Sequence, residues 1–235
     1  MYTFDSRVRY SETDERGFLS IAGIVDYFQD VSTFQSEDLG LGVSYLRSQN
    51  MLWVMSAWQI VIERYPRLGE KITAGTFPYQ FKGFMGLRNF FLDDAQGKRI
   101  VKANSIWSLV SVDKSMPVRP TREMTERYVL EERLDMDYAP RKIELPKDGS
   151  VQEAFEVGRQ HLDSNHHVNN GQYIHMAMDY LPEDYEIRQM RAEYKKQALL
   201  HDRIVPSVGR RAGIVTVSLG AEDGSAYAVV EFEGA

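Results

Sequence analysis

The sequence predicts an α+β protein of two similar units in tandem, each a central helix wrapped by an antiparallel β-sheet. Three observations carry this. Apolar residues recur at helical spacing in two places, and each place is followed by strand-like runs separated by turn signals. The segment that opens each helix is repeated: Asp14-Glu15-Arg16-Gly17-Phe18-Leu19-Ser20 aligns with Asp163-Ser164-Asn165-His166-His167-Val168-Asn169 at an offset of 163 − 14 = 149 residues. The pairing continues downstream, where Leu68-Gly69-Glu70-Lys71-Ile72 matches Leu200-His201-Asp202-Arg203-Ile204. These divide the chain into a first unit over residues 1–116, a connector over 117–150 and a second unit over 151–235.

The elements follow in order. Ile21, Ile24, Val25, Phe28 and Val31 form the apolar stripe of the first helix, which Gly40 stops. Trp53 to Ile62 is apolar and aromatic and reads as a largely buried strand. Lys71 to Tyr79 and Phe84 to Leu92 follow as strands, Asp93-Asp94-Ala95-Gln96-Gly97 is a hairpin turn, and Ile100 to Val112 is the return strand. The connector carries Pro117, Pro120, Pro140 and Pro146 around a charged middle from Glu126 to Asp137, with room for a short helix. Tyr173, Ile174, Ala177 and Leu181 mark the second helix, stopped by Pro182. Gln189 to Ala198, Arg203 to Val208 and Gly213 to Leu219 read as strands. Glu222-Asp223-Gly224-Ser225 is a turn, and Ala226 to Phe232 closes the sheet.

Bulk properties narrow the function classes. With 235 residues and 43% hydrophobic content, the chain can bury one large core or two modest ones. No run approaches the ~20 apolar residues of a membrane span, and Met1-Tyr2-Thr3-Phe4-Asp5 lacks the layout of a signal peptide, so a cytoplasmic protein is expected. A formal charge of −6 argues against general nucleic-acid binding. There is no cysteine, hence no thiol nucleophile and no thiolate metal site.

The chemistry concentrates in His161-Leu162-Asp163-Ser164-Asn165-His166-His167-Val168-Asn169-Asn170-Gly171. In extended chain, Asp163, Asn165 and His167 project to one side, so a carboxylate, a carboxamide and an imidazole can converge on one cavity. The Asn169-Asn170-Gly171 turn caps the helix behind them, whose N-terminus offers donors and partial positive charge to a developing oxyanion. That is equipment for hydrolysing a carbonyl compound. The bland alternative is a polar turn in which Asp163 and Asn169 serve only the backbone. His161, His166 and His167 cluster, but adjacent histidines on extended chain face opposite ways and nothing completes a zinc geometry, so no metal is expected.

The run Asp-x-Asn-x-His-Val-Asn-Asn-x-x-Tyr-Ile resembles the signature of acyl-ACP thioesterases, which are two hot-dog domains in tandem; its shorter part is shared with hot-dog acyl-CoA thioesterases. The resemblance implies two hot-dog units packed as a pseudo-dimer, of the bacterial type without a transit peptide. It further implies hydrolysis of fatty acyl-ACP to free fatty acid, acyl carrier protein as partner, and no cofactor. Without a thiol, water or a carboxylate must attack the thioester. Asp163 is then the base or direct nucleophile, Asn165 holds it, the water or the carbonyl, and His167 donates a hydrogen bond or a proton. Arg16 and Phe18 replace Asn and His in the first copy, so that half scaffolds and binds. Where the family carries a Glu after a Tyr and two basic residues, the run Glu193-Tyr194-Lys195-Lys196-Gln197 has Gln197, which cannot take a proton as a carboxylate does. Glu193 is expected four residues earlier on the same strand face. Lys195, Lys196 and Arg203, with Arg210 and Arg211, form a basic set that is either a solvated sheet edge or a dock for the acidic carrier, and Trp53, Trp58 and Phe28 either line the acyl chain or belong to the ordinary core. Acyl-CoA hydrolysis and non-catalytic acyl binding are the competing readings, and pairing into a homodimer stays open.

Overall fold

The computed structural model describes residues 1–145, 148–163 and 165–234. Pro146 of the connector, Ser164 of the repeated segment and Ala235 at the end of the second unit lie outside the described residues. The chain forms two compact units, one of Met1–Ser56 with Ile60–Tyr138, the other of Ala57–Gln59 with Ala139–Ala235. One break, after Tyr138, lies within residues 117–150, and the other two bracket Ala57–Gln59, within the stretch from Trp53 to Ile62. No helix among the described residues is long and apolar enough to cross a membrane.

In the first unit β1 (Tyr2–Arg7) precedes the central helix α1 (Ile21–Asp38) and a short helix α2 (Val43–Ser48). Then come β2 (Met51–Ile62), β3 (Lys71–Lys82), β4 (Met85–Asp94), β5 (Arg99–Ser111), the two-residue β6 (Met116–Pro117) and the short helix α3 (Arg122–Glu126). The sheet order is β1-β3-β4-β5-β2, with β6 added to β5. The helix forms where its stripe and caps agree. Ser20 Oγ accepts the Gly23 N–H at 3.0 Å, and Ile21, Ile24, Val25, Phe28 and Val31 are all buried. It stops at Gly40, whose φ of 67° lets the Gly40 and Leu41 amides return to Glu37 and Ser36, each at 2.8 Å. Phe28 meets Phe90 of β4 at 5.3 Å, and truncating such a buried ring costs ~3–5 kcal/mol. The hairpin is local chemistry too: Gly97 has φ 75°, and Asp94 Oδ1 accepts the Gln96 and Lys98 amides at 3.0 and 2.9 Å.

The second unit holds β7 (Ser150–Val151), β8 (Phe155–Glu156), helix α4 (Asn170–Met178), β9 (Ile187–Tyr194), β10 (Arg203–Arg211), β11 (Ile214–Gly220) and β12 (Ala226–Gly234). Its order is β9-β12-β11-β10, with β7 and β8 pairing to β10. Helix α4 ends at Met178, before Leu181 of the expected stripe. Pro182 pushes the residue before it away from helical dihedrals; the Tyr180 and Leu181 amides close short turns onto Ala177 and Met178, and Arg210 takes the Tyr180 carbonyl at 2.8 Å. The sequence reading missed β1, α2, β6, β7 and β8, all short or at a sheet edge.

The connector is bound rather than loose. In the first unit, fully buried Asn89 accepts the Leu134 N–H at 3.1 Å and the Tyr138 hydroxyl at 3.0 Å, while its amide donates to the Ala103 carbonyl at 3.0 Å. In the second, Arg191 donates to the Pro140 and Lys142 carbonyls at 2.6 and 3.1 Å, and Glu193 accepts the Ile143 N–H at 3.1 Å. An irregular chain has no ladder for its backbone groups, so side chains of the sheet satisfy them.

Candidate active site

The repeated segment adopts one loop twice. In each unit a single-turn 3-10 helix, Tyr10–Glu12 or Arg159–His161, leads into it. In the first, Asp14 Oδ1 accepts the Arg16 and Phe18 amides at 3.0 and 2.9 Å. In the second, Asp163 Oδ1 accepts the Asn165 and His167 amides at 2.8 and 3.3 Å. Each aspartate N–H also closes the loop, onto Phe18 O or His167 O, both at 2.8 Å. The turn needs a left-handed residue, and Gly17 (φ 78°) and His166 (φ 62°) supply it. Ser20 or Asn169 then caps the helix; Asn169 Oδ1 accepts the Gly171 N–H at 2.8 Å.

This corrects the expectation of an extended segment. The motif closes on itself because Asp163 binds the amides two and four residues on, so alternation along a strand does not govern where Asn165 and His167 point. Asp163 therefore does part of what the bland reading asked of it, through Oδ1. Oδ2 makes no hydrogen bond among the described residues. His167 is half-buried, and its Nδ1 is buried without a partner among the described residues. The other histidines differ: His161 Nδ1 accepts the Gly158 N–H at 3.0 Å and His166 is exposed. No group of three or more metal-ligating side chains gathers among the described residues.

The segment carrying Gln197 is tied to this loop but is not the strand expected. β9 ends at Tyr194, because the Lys195 and Lys196 amides both turn to the Tyr227 carbonyl, at 2.8 and 3.2 Å. Ala198 then meets the motif through both backbone groups: its carbonyl accepts the Val168 N–H at 3.0 Å and its N–H donates to Tyr173 Oη at 2.9 Å. Gln197 is exposed one residue away. Glu193 faces elsewhere. With Arg191 it points to the connector, and it also pairs with Lys195 at 3.5 Å. The alternate residue Tyr194 faces α4, its hydroxyl donating to the Asn170 carbonyl at 3.0 Å and its ring 5.9 Å from that of Tyr173.

The remaining residues scatter. Trp53 is half-buried against the cluster of Leu41, Leu46, Leu109, Met124 and Tyr128 in the first unit. Phe28 and Trp58 are fully buried core residues. The basic set is engaged: besides the Lys195 pair, Lys196 lies over the Tyr227 ring at 5.2 Å and Arg203 pairs with Glu222 at 3.5 Å. The Arg203–Glu222 pair, exposed on both sides, holds little free energy. Tyr173 was legible as a helix-stripe residue and as the tyrosine of the motif, with no role given to its oxygen, although a phenol in a buried stripe needs a partner for that oxygen. Burial above all pushes its hydroxyl up to about 12, against the pull of the Ala198 amide, with smaller upward contributions from Tyr227, Asp202 and Asp163.

Family models cover both halves in order. The N-terminal domain of acyl-ACP thioesterases matches residues 1–128 and the C-terminal domain residues 144–218. An acyl-[acyl-carrier-protein] hydrolase of Cuphea viscosissima is 23% identical over 207 residues, 80% of this chain and 49% of that protein. An oleoyl-acyl carrier protein thioesterase of Arabidopsis thaliana is 24% identical over 225 residues, 86% of this chain and 60% of its own length. The chain thus spans roughly half the length of several curated relatives it matches. In solved structures, an acyl-ACP thioesterase of Bacteroides thetaiotaomicron superposes with a TM-score of 0.91 at 19% identity, covering 98% of this chain and 96% of that one. The 12:0-ACP thioesterase of Umbellularia californica gives 0.88 at 17% identity, covering 99% and 96%. Sharing the tandem fold and matching both domain models, the chain belongs to the acyl-ACP thioesterase family.

Proposed function

We propose that this protein hydrolyses the thioester of fatty acyl-ACP, releasing free fatty acid and holo-ACP. One observation carries the reading: a carboxylate with one oxygen committed to its own loop and the other unbonded among the described residues, directly before the capped N-terminus of α4. Water adds to the thioester carbonyl while Asp163 Oδ2 takes its proton; the carbon–sulfur bond breaks and the thiolate recovers a proton. Direct attack by Asp163, through an anhydride that water then opens, uses the same atoms. Asn165 and His167 hold the carbonyl or the water, and the positive end of α4 favours the oxyanion. Lys195, Lys196 and Arg203 steer the acidic carrier toward the loop.

A second reading has its own support. Gln197 stands where the resembling proteins have a glutamate, which suits an acyl-binding protein without turnover. Panels of acyl-ACP and acyl-CoA offered to the purified protein, with free acid and free thiol quantified, separate the readings. Acid released from acyl-ACP is expected; release only from acyl-CoA, or none with retained acyl binding, refutes the proposal.

A further inference from the structure

The two units differ in one coupled way. At the position of Ala198 the first unit has Pro66, whose carbonyl accepts the Leu19 N–H at 2.8 Å just as the Ala198 carbonyl accepts that of Val168. Proline has no N–H to donate. On the helix, the position of Tyr173 is held in the first unit by Ile24, fully buried and without a hydroxyl. Where the loop offers an amide the helix offers an oxygen, and where the loop offers none the helix offers none. The surrounding anchors are otherwise alike. The Arg67 amide goes to Glu70 Oε2 at 3.0 Å and the Leu199 amide to Asp202 Oδ2 at 2.9 Å. The Gly69 amide returns to Val8 O at 2.9 Å and that of His201 to Val157 O at 3.1 Å.

The hydroxyl–amide bond is thus confined to the half that carries Asn165 and His167. Building on the thioesterase reading above, we infer that Tyr173 is a positioning residue: its hydroxyl fixes the 195–199 loop, and with it Gln197, against the Asp163 loop. The phenol is 2% exposed, so the Ala198 amide has no water to turn to if the oxygen is lost. The Tyr194 ring at 5.9 Å, itself tied to Asn170, holds the phenol in place.

The test compares wild type, Tyr173→Phe, and Tyr173→Phe with Ala198→Pro, which reproduces the first unit's loop. Steady-state kinetics on acyl-ACP, melting temperature and amide exchange over residues 195–199 are measured for each. Displacing a reacting group by about 1 Å can cost on the order of 100-fold, so Tyr173→Phe should lower kcat at least about tenfold with KM little changed. The single variant melts lower, since a buried amide is orphaned; the double regains melting temperature, since no amide remains, but its kcat stays low. A kcat in Tyr173→Phe near wild type, or one that recovers in the double variant together with melting temperature, overturns the inference by reducing Tyr173 to a fold residue. If Tyr173→Phe does not fold, Ala198→Pro alone breaks the same bond from the other side and is read in the same way. If wild type releases no acid from any acyl-ACP, the proposed function fails. The positioning claim then rests on exchange: faster exchange over 195–199 in the single variant supports it, and unchanged exchange overturns it.

Discussion

Replacing Asp163 with asparagine or with alanine separates the two tasks the structure gives this side chain. Oδ1 accepts the Asn165 and His167 amides at 2.8 and 3.3 Å, which keeps the loop closed. An asparagine keeps a carbonyl oxygen for those amides, so Asp163→Asn should fold with little loss of stability. It removes the carboxylate oxygen proposed to take the proton of water, and a general base contributes about 10²–10⁴-fold. Turnover of acyl-ACP should therefore fall by two or more orders of magnitude in a protein that melts near wild type. Asp163→Ala removes both acceptor bonds as well. At roughly 1 kcal/mol for each backbone amide left without its side-chain cap, it should also lose about 2 kcal/mol of stability. Release of fatty acid from acyl-ACP, measured beside thermal or denaturant unfolding, reads both quantities. Near-normal turnover in folded Asp163→Asn would refute the assignment and leave Asp163 as a loop residue alone.

Asp14 forms the same loop without the Asn and His, so Asp14→Ala should lower the melting temperature, at a cost of about 2 kcal/mol for its two amide bonds, while changing turnover little; a catalytic loss equal to that of Asp163→Asn would show the site misassigned. Neutralising Lys195, Lys196 and Arg203 together should raise KM for acyl-ACP but not for acyl-pantetheine. Because exposed charges are screened over ~8–10 Å near physiological salt, that difference should shrink as salt rises, and a salt-independent effect would exclude steering. Gln197→Glu introduces a carboxylate one residue from the Ala198 contact and should change kcat rather than KM; an unchanged kcat would put Gln197 outside the site.

What could be read from the chain was local. Helix α1 begins at Ser20 and α4 at Asn169 because each cap bonds to an amide two or three residues on. The hairpins close at Gly97 and Gly224 because those positions need positive φ. The repeated loop was visible because an aspartate accepting from residues two and four ahead depends only on near neighbours, and two copies of it survive in one sequence. The family motif fell in the same stretch for the same reason. Only the tertiary structure decided what long-range partners impose. Strand β9 stops at Tyr194, not at Ala198, because the Tyr227 carbonyl draws the next two amides. Glu193 turns from the motif because the connector's Ile143 amide needs an acceptor. The proline-rich connector is held by Asn89, Arg191 and Glu193, polar groups that a strand pattern would put toward water. The bond from the Ala198 amide to Tyr173 spans 25 residues. No periodicity encodes such a contact, since it exists only once helix and sheet have packed and left that amide without water.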